Sequence, residues 1–299
     1  RTFIEADCII GADGAFSAIR DKMQKNDRFN YSQSYIEHGY KELTIPPAPD
    51  GDFQLDKNAL HIWPRKQYML IGLPNLDGSF TCTLFFPFDG NPSFESLKTE
   101  AEISAFFNEE FPDVIPFMPT LLQDFAHNPT SSLVTVRSFP WAYKDKALLI
   151  GDAAHAIVPF FGQGMNAGFE DCTVLDECLD RYPDNWEKAF KEFEILRKPN
   201  TDAIAELALE NFIEMRDKVA DPVFLRRKKV ERLMHTQFPD RFNSLYSMVT
   251  FSDMPYHDAQ VTGRKQDVLI DAIMAIDNVE NEWESVGNQE RITRIMAGK

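Results

Sequence analysis

Polar and apolar positions alternate from Arg1 to Asp7 and then give way to Cys8-Ile9-Ile10, the pattern of a strand entering a buried sheet. The glycine-rich turn Gly11 to Gly14 follows, and Ala15 to Met23 reads as a helix. Strand, tight turn and helix in this order form the late part of a nucleotide-binding α/β unit. Its early part is a G-x-G-x-x-G turn opening a βαβ unit of ~30 residues. No such turn stands in the sequence, so a preceding segment is expected.

From Tyr31 to Phe88 the spacing predicts strands: Ser34 to Ile45, Ala59 to Trp63, Tyr68 to Leu73 and Ser79 to Phe86. The run Pro74 to Gly78 supplies a hairpin connection, so these strands are expected to form one antiparallel sheet. Ser93 to Phe125 reads as helices broken by Pro112, Pro116 and Pro119. A short strand is expected at Leu133 to Val136. A buried strand, Ala147 to Ile150, then runs into Gly151-Asp152-Ala153-Ala154-His155. Helix is predicted from Gly164 to Leu179 and through most of the chain after Asn185, including Asn211, Arg226 to Met234 and Gln266 to Ala275. The end, Asn278 to Lys299, is charged and amphipathic.

Candidate chemistry concentrates where strands meet glycines. An Asp at the C-terminal end of a buried strand stands where α/β sheets bind ligands, and Asp152 can accept hydrogen bonds from sugar-like hydroxyls. After Gly162, the helix opening at Gly164-Met165-Asn166 offers unpaired N–H groups and the positive end of its dipole to negative charge. Gly151, Gly162 and Gly164 let backbone approach a flat ring closely. A capped strand–helix turn with glycines for tight packing would leave the same pattern.

Composition narrows the classes. Hydrophobic residues make up 43% and charged residues 26% of the 299, an ordinary globular balance. A net charge of -16 argues against nucleic acid and against electrostatic attachment to anionic membranes. The 25 Phe, against 8 Tyr and 4 Trp, suit both core filling and the lining of an apolar pocket. Cys8, Cys82, Cys172 and Cys178 form no C-x-x-C pair, so reduced thiols, no metal site and a cytoplasmic setting are expected. No apolar run reaches the length of a bilayer span.

Two stretches carry a family resemblance. Ile10-Gly11-Ala12-Asp13-Gly14 with Ser17 and Arg20 resembles the second fingerprint of the class A flavin monooxygenases. Leu149-Ile150-Gly151-Asp152-Ala153-Ala154-His155 resembles their third, whose Asp holds the ribityl chain of FAD. Within that class the likeness runs to the kynurenine 3-monooxygenase family over nearly the whole chain. Its strongest carriers are Val158 to Asp171, Leu60 to Arg65 and Met69 to Asn75.

The resemblance implies an α/β (α+β) architecture: a para-hydroxybenzoate-hydroxylase-like FAD-binding fold with an antiparallel substrate sheet and a helical C-terminal part. The expected division is 1–30 and 137–200 for the FAD-binding domain, 31–136 for the substrate sheet with its helices, and 201–299 for the C-terminal helices. It implies FAD and NADPH as cofactors, with L-kynurenine and dioxygen as substrates. The reaction implied is hydroxylation to 3-hydroxykynurenine through a flavin C4a-hydroperoxide, in tryptophan degradation. The implied cofactor residues are Gly11, Asp13, Gly14, Arg20, Gly151, Asp152, Gly162, Gly164, Met165 and Asn166, with Asp13 and Arg20 near the pyrophosphate.

The substrate walls carried over are Leu60, Met69, Ile71, Leu73, Phe85, Pro159 and Phe160. Asn211 and Met215, four positions apart, share one helix face, and Tyr246 is the expected polar contact. Apolar residues on strands serve a core equally well, and Tyr246 between Leu245 and Met248 fits a core tyrosine. Asn211 within an apolar helical pattern requires a polar partner. His155 is taken as structural, and no side chain is assigned as an acid or base. The run Arg226 to Lys229 reads as a solvated helix face, with docking as the minor alternative. Two other functions stay open: hydroxylation of another aromatic acid, and a flavin-binding module without catalysis.

Overall fold

The structure, a computed structural model, describes residues 4–218 and 221–298; the first three residues of the expected opening strand lie outside that range. The strand itself, β1, is short (Ile9–Gly11), and helix α1 spans Ala18–Met23. Ser17 starts α1 by accepting from the Arg20 amide over 2.9 Å, an N-cap in the usual sense.

The alternating segment then builds a five-stranded sheet from β2 (Asn30–Ile45), β3 (His61–Pro64), β4 (Met69–Pro74), β5 (Phe80–Pro87) and β6 (Ser131–Phe139), in the order β3-β4-β5-β2-β6. The pairs β3·β4, β4·β5 and β2·β5 are antiparallel. Between β5 and β6 come helices α2 (Glu100–Glu110) and α3 (Leu121–His127). Thr99 and Glu102 form a reciprocal capping box that fixes where α2 begins.

Side chains alternate across a sheet, so its two faces separate cleanly. Leu70, Phe80, Cys82, Leu84 and Phe86 face the helices and pack with Phe106, Phe107, Phe111 and Phe125 in one core. A tilted contact between Phe86 and Phe106 (4.9 Å) and an edge contact between Tyr68 and Phe86 (5.1 Å) knit these rings. Much of the unusual phenylalanine content is therefore spent on this core. Lys41 enters the same face and donates to the Asn128 carbonyl over 2.5 Å above the Phe125 ring; burial pushes its ammonium below the ordinary lysine value.

Strands β7 (Ala142–Tyr143) and β8 (Ala147–Leu149) join β1 in a second sheet, β8 running parallel to β1 with Gly11 opposite Leu149. Helices α4 (Asp152–His155), α5 (Gly164–Arg181) and α6 (Trp186–Ile213) follow, α6 continuing through Pro199. A π-turn over Glu214–Lys218 ends α6, and among the described residues α7 (Pro222–Gln237), α8 (Leu245–Thr250), α9 (Tyr256–Met274) and α10 (Val286–Met296) follow. Among the described residues, no helix is long and apolar enough to cross a membrane.

Two units result, one comprising Arg1–Gln33, Thr135–Asn211 and Asp221–Lys299, the other Ser34–Val134 and Phe212–Ala220. This differs from the expected division at two places. The C-terminal helices do not stand apart from the first unit, because Ala167 of α5 and Ile204 and Leu207 of α6 share one core with Met248, Val249, Tyr256 and Ala259. The segment after Asn211 belongs with the sheet, where Phe212 meets His38 edge-on at 5.1 Å.

The basic run also departs from expectation. Arg226 bonds Glu280, Arg227 reaches Glu231, Asp267 and Asp271, and Lys229 donates to Asn281, so the run fastens α7 to its neighbours. A solvated face is what the sequence pattern suggests; acidic partners about 40 residues or more downstream are what it cannot display.

Candidate cofactor and substrate sites

Because β1 and β8 are adjacent and parallel, both glycine motifs leave the same end of one sheet. Ile150 N donates to Gly11 O over 3.0 Å, continuing the ladder as far as the two turns. Gly11 is closely packed: an added Cβ would stand 2.9 Å from Leu149 Cδ2 and 3.0 Å from Ile19 Cβ, so those side chains would have to shift. Gly151 has φ +57°, and its backbone passes close to Gly168 of α5.

In the first motif, Asp13 Oδ2 accepts from the amides of Ala18 (2.7 Å) and Ile19 (3.3 Å), so this carboxylate caps α1. Burial works against its ionisation, but bonds from the Ser17 hydroxyl and the Ile19 and Ala18 amides hold it below the ordinary aspartate value. Arg20 is buried: Nη1 donates to Ala153 O over 2.8 Å and Nη2 to Ala15 O over 2.6 Å. Its guanidinium also lies 4.7 Å from the Tyr31 ring centroid. Arg20 thus ties the first motif to the second from inside. Gly14, at φ +81°, has no atom within 4 Å of where a Cβ would stand.

In the second motif, Asp152 opens α4 with an exposed side chain that makes no hydrogen bond or ion pair to a described residue. Behind it lies a group that the sequence reading did not assign. Asp171, 0% exposed, accepts from Gly151 N (2.8 Å), His155 Nε2 (2.5 Å) and Arg197 Nε (2.7 Å). Burial would raise its carboxyl, yet His155 and Arg197 hold it below the ordinary aspartate value. One signal did exist: Phe190, Phe193, Arg197, Thr201 and Ile204 form one buried helical stripe, and an arginine inside such a stripe requires a buried acid.

The loop before α5 makes a 3-10 turn, Pro159–Phe161, closed by Gly162 at φ +67°. No side chain caps the start of α5, so the first-turn amides at Gly164, Met165 and Asn166 remain open to a ligand. Met165 is 71% exposed, and Asn166 donates to Gln163 over 2.9 Å. Asn211 Nδ2 donates to Phe160 O over 2.7 Å, which gives the expected polar helix residue its partner and pins the loop. Tyr246 stacks on Phe161 at 5.9 Å and is half-exposed. In this unit, therefore, Pro159, Phe160, Asn211 and Tyr246 gather around one loop.

In the other unit, Met69, Ile71 and Leu73 recur on the sheet face opposite the phenylalanine core, with Phe85 the register partner of Met69. Leu60, two positions before Ile62, shares that parity, and Ile62 pairs with Ile71. Met215 is buried on the π-turn. Exposure rises along β4, from Met69 at 0% to Leu73 at 46%.

A family model described as "FAD binding domain" matches residues 1–181. Over 290 residues the chain is 54% identical to a kynurenine 3-monooxygenase of Flavobacterium johnsoniae, covering 97% of this chain and 65% of that protein. It is 52% identical over 298 residues to one from Flavobacterium psychrophilum, covering 100% and 67%. Against one from Dictyostelium discoideum it is 53% identical over 292 residues, covering 93% and 64%. The chain thus spans about two thirds of the length of these relatives, slightly less for those of Flavobacterium johnsoniae and Dictyostelium discoideum. Among solved structures, HpxO of Klebsiella pneumoniae complexed with FAD superposes with TM-score 0.59 at 17% identity, covering 87% of this chain and 62% of that one. A 2-methyl-3-hydroxypyridine-5-carboxylic acid oxygenase superposes with TM-score 0.58 at 24% identity, covering 75% and 59%. These likenesses show the fold, that of FAD-dependent monooxygenases resembling para-hydroxybenzoate hydroxylase.

Proposed function

This chain belongs to the kynurenine 3-monooxygenase family of flavin-dependent monooxygenases, and from that premise we propose that its protein hydroxylates L-kynurenine to 3-hydroxykynurenine with FAD, NADPH and dioxygen. The balance is one substrate C–H, one O2, one NADPH and one proton in; one phenol, one water and NADP+ out. The observation that carries the reading is the register of β1 on β8, which brings the Gly11–Gly14 turn and Gly151-Asp152 to one sheet end, where parallel sheets bind ligands.

The residues present suit FAD. Asp152 offers an exposed, unengaged carboxylate, α5 begins without a cap, and Gly14 leaves open space where a side chain would stand. Bound flavin would supply the redox chemistry, accepting reducing equivalents from NADPH and activating dioxygen for transfer of one oxygen atom. The protein's part is to bind, orient and exclude water.

Asp152 would accept from the ribityl hydroxyls, and the Gly11–Gly14 turn would hold the pyrophosphate. Asp13 and Arg20 act on that turn from behind, as their internal hydrogen bonds indicate. Gly162 and Gly164 would leave room for the ring, and the first-turn α5 amides, including those of Met165 and Asn166, would stabilise negative charge on a reduced flavin. On the sheet, Leu60, Met69, Ile71, Leu73 and Phe85 present an apolar surface that sheds water from the aromatic substrate, with Met215 beside it on the π-turn. Pro159 and Phe160 line the loop that Asn211 holds, and the Tyr246 hydroxyl contacts the amino-acid group. The aniline nitrogen already activates the ring carbon ortho to it, so no strong protein base is needed. A cytoplasmic setting belongs to the same proposal, supported by free thiols at Cys8, Cys82, Cys172 and Cys178.

The test is NADPH consumption by the FAD-loaded protein with and without L-kynurenine, with products identified by mass. Stimulation together with a one-oxygen mass gain is expected. Stimulation that releases only peroxide would make kynurenine an effector and another aromatic acid the substrate. Absence of stimulation would leave a flavin-binding module without this activity.

A further inference from the structure

We propose that Asp171 is a positioning residue for the flavin site, gripping both ends of α4 with one buried carboxylate and so fixing the aim of Asp152. The inference rests on the FAD reading of that site. Helix α4 has only four residues, and its internal amide bonds, from Ala154 and His155, both return to Gly151 O. So short a helix has no stability of its own, and its orientation is set by what holds it from outside.

Ala153 and Ala154 pack in the core with Phe190 and Phe193, and the Trp141 ring lies 5.2 Å from that of His155; the polar holds, among the described residues, are few. Asp171 Oδ2 takes Gly151 N at the head of α4 and His155 Nε2 at its tail, over 2.8 and 2.5 Å. Ser138 and Arg20 bind the carbonyls of Ala154 and Ala153, each over 2.8 Å. Among the described residues, the Asp171 carboxylate alone bonds both ends. Gly151 sits in left-handed space at φ +57°, a conformation with alternatives close by for glycine, and a charged acceptor on its amide selects one. Arg197, 1% exposed, braces the acid from α6 through Nε and also donates to Ala167 O over 3.1 Å.

A buried ionic cluster is a poor device for stability alone, since apolar residues of like volume commonly serve as well. What it supplies is fixed geometry, and the residue it fixes carries the exposed carboxylate offered to the cofactor.

The experiment measures FAD affinity by flavin fluorescence quenching in the full protein for wild type, Asp171→Asn, Arg197→Lys and Ile273→Val. Ile273 belongs to the α7–α9–α10 core of the same unit and serves as a control for general destabilisation; melting temperatures without FAD accompany each value. The Kd of Asp171→Asn is expected to rise about tenfold or more, as for a hydrogen bond to a charged group lost behind a binding residue. Arg197→Lys should show a smaller rise, and Ile273→Val none, even where its melting temperature falls as far. Should Asp171→Asn be insoluble, Arg197→Lys carries the comparison with the same outcomes. A Kd within about twofold of wild type, or a rise matched by the control at equal loss of melting temperature, overturns the proposal. Failure of the wild type to bind FAD overturns the cofactor reading itself, and this inference with it.

Discussion

Arg20 donates through Nη1 to the main-chain carbonyl of Ala153 over 2.8 Å, across 133 positions of sequence. This one contact joins the helix of the first glycine motif to the short helix of the second. A free arginine near the cofactor would act through its charge; a buried one with two carbonyl partners acts by holding two turns at a fixed separation.

Replacing Arg20 by Met removes the donors to Ala153 and Ala15 while keeping much of the apolar stem. Loss of hydrogen bonds from a charged donor is expected to lower unfolding free energy by about 2–3 kcal/mol. Urea unfolding should show this as a lower midpoint at unchanged slope. FAD affinity should fall in the same variant. An unchanged midpoint would show that the guanidinium does not hold the two motifs.

The periodicity of the chain foretold the strands of the five-stranded sheet within a few residues, because alternation over eight or more positions has one structural solution. The glycine motifs were legible for a similar reason: positive φ at Gly14 and Gly151 and the tight fit at Gly11 favour glycine. The Asp171, His155 and Arg197 cluster was not legible, since its members lie 16 and 26 positions apart and meet only after α5 and α6 pack. The partners of Arg227 were hidden likewise, and the π-turn after Ile213 leaves no mark in hydrophobic spacing.

Protonation of His38 offers a pH test. Burial is the main cause that lowers it below its ordinary 6.5, and the Arg216 charge adds to this, while the Gln67 carbonyl, Glu37 and Asp217 pull the other way. The unfolded chain therefore takes up this proton first as pH falls. The resulting stability is present above 6.5 and is lost as pH drops through the lowered folded value. Unfolding free energy should decline as pH falls below about 6.5. His38→Gln, which keeps a donor for the Gln67 carbonyl, should flatten that decline. An identical pH profile in the variant would remove His38 as its source.

Arg227 gathers three carboxylates, at 3.2 Å from Glu231, 2.6 Å from Asp267, and in contact with Asp271. The acids on α9 are well exposed, so each pair is weak and screened by salt. Arg227→Ala is expected to lower stability by about 1 kcal/mol at low ionic strength, with the difference shrinking near 1 M salt. A loss that persists at high salt would mean that the arginine stem contributes by packing.

Asn211 and Tyr246 separate two ways of serving one loop. Asn211 fixes the loop through the 2.7 Å bond to Phe160 O, whereas Tyr246 lays its ring on Phe161 and leaves its hydroxyl available. Asn211→Ala should loosen the loop, so that substrate sits less well shielded: KM for kynurenine rises, and a larger share of the NADPH consumed ends as peroxide. Tyr246→Phe keeps the stacked ring and removes only the hydroxyl, so coupling should hold while KM rises by about tenfold, the worth of one hydrogen bond to a charged group. Tyr246→Phe should leave FAD affinity unchanged, because the variant keeps the ring on Phe161. Steady-state kinetics with peroxide detection distinguishes the two patterns. If both variants keep the wild-type KM and kcat, the loop is not the substrate-binding element, and the amino-acid group is held elsewhere.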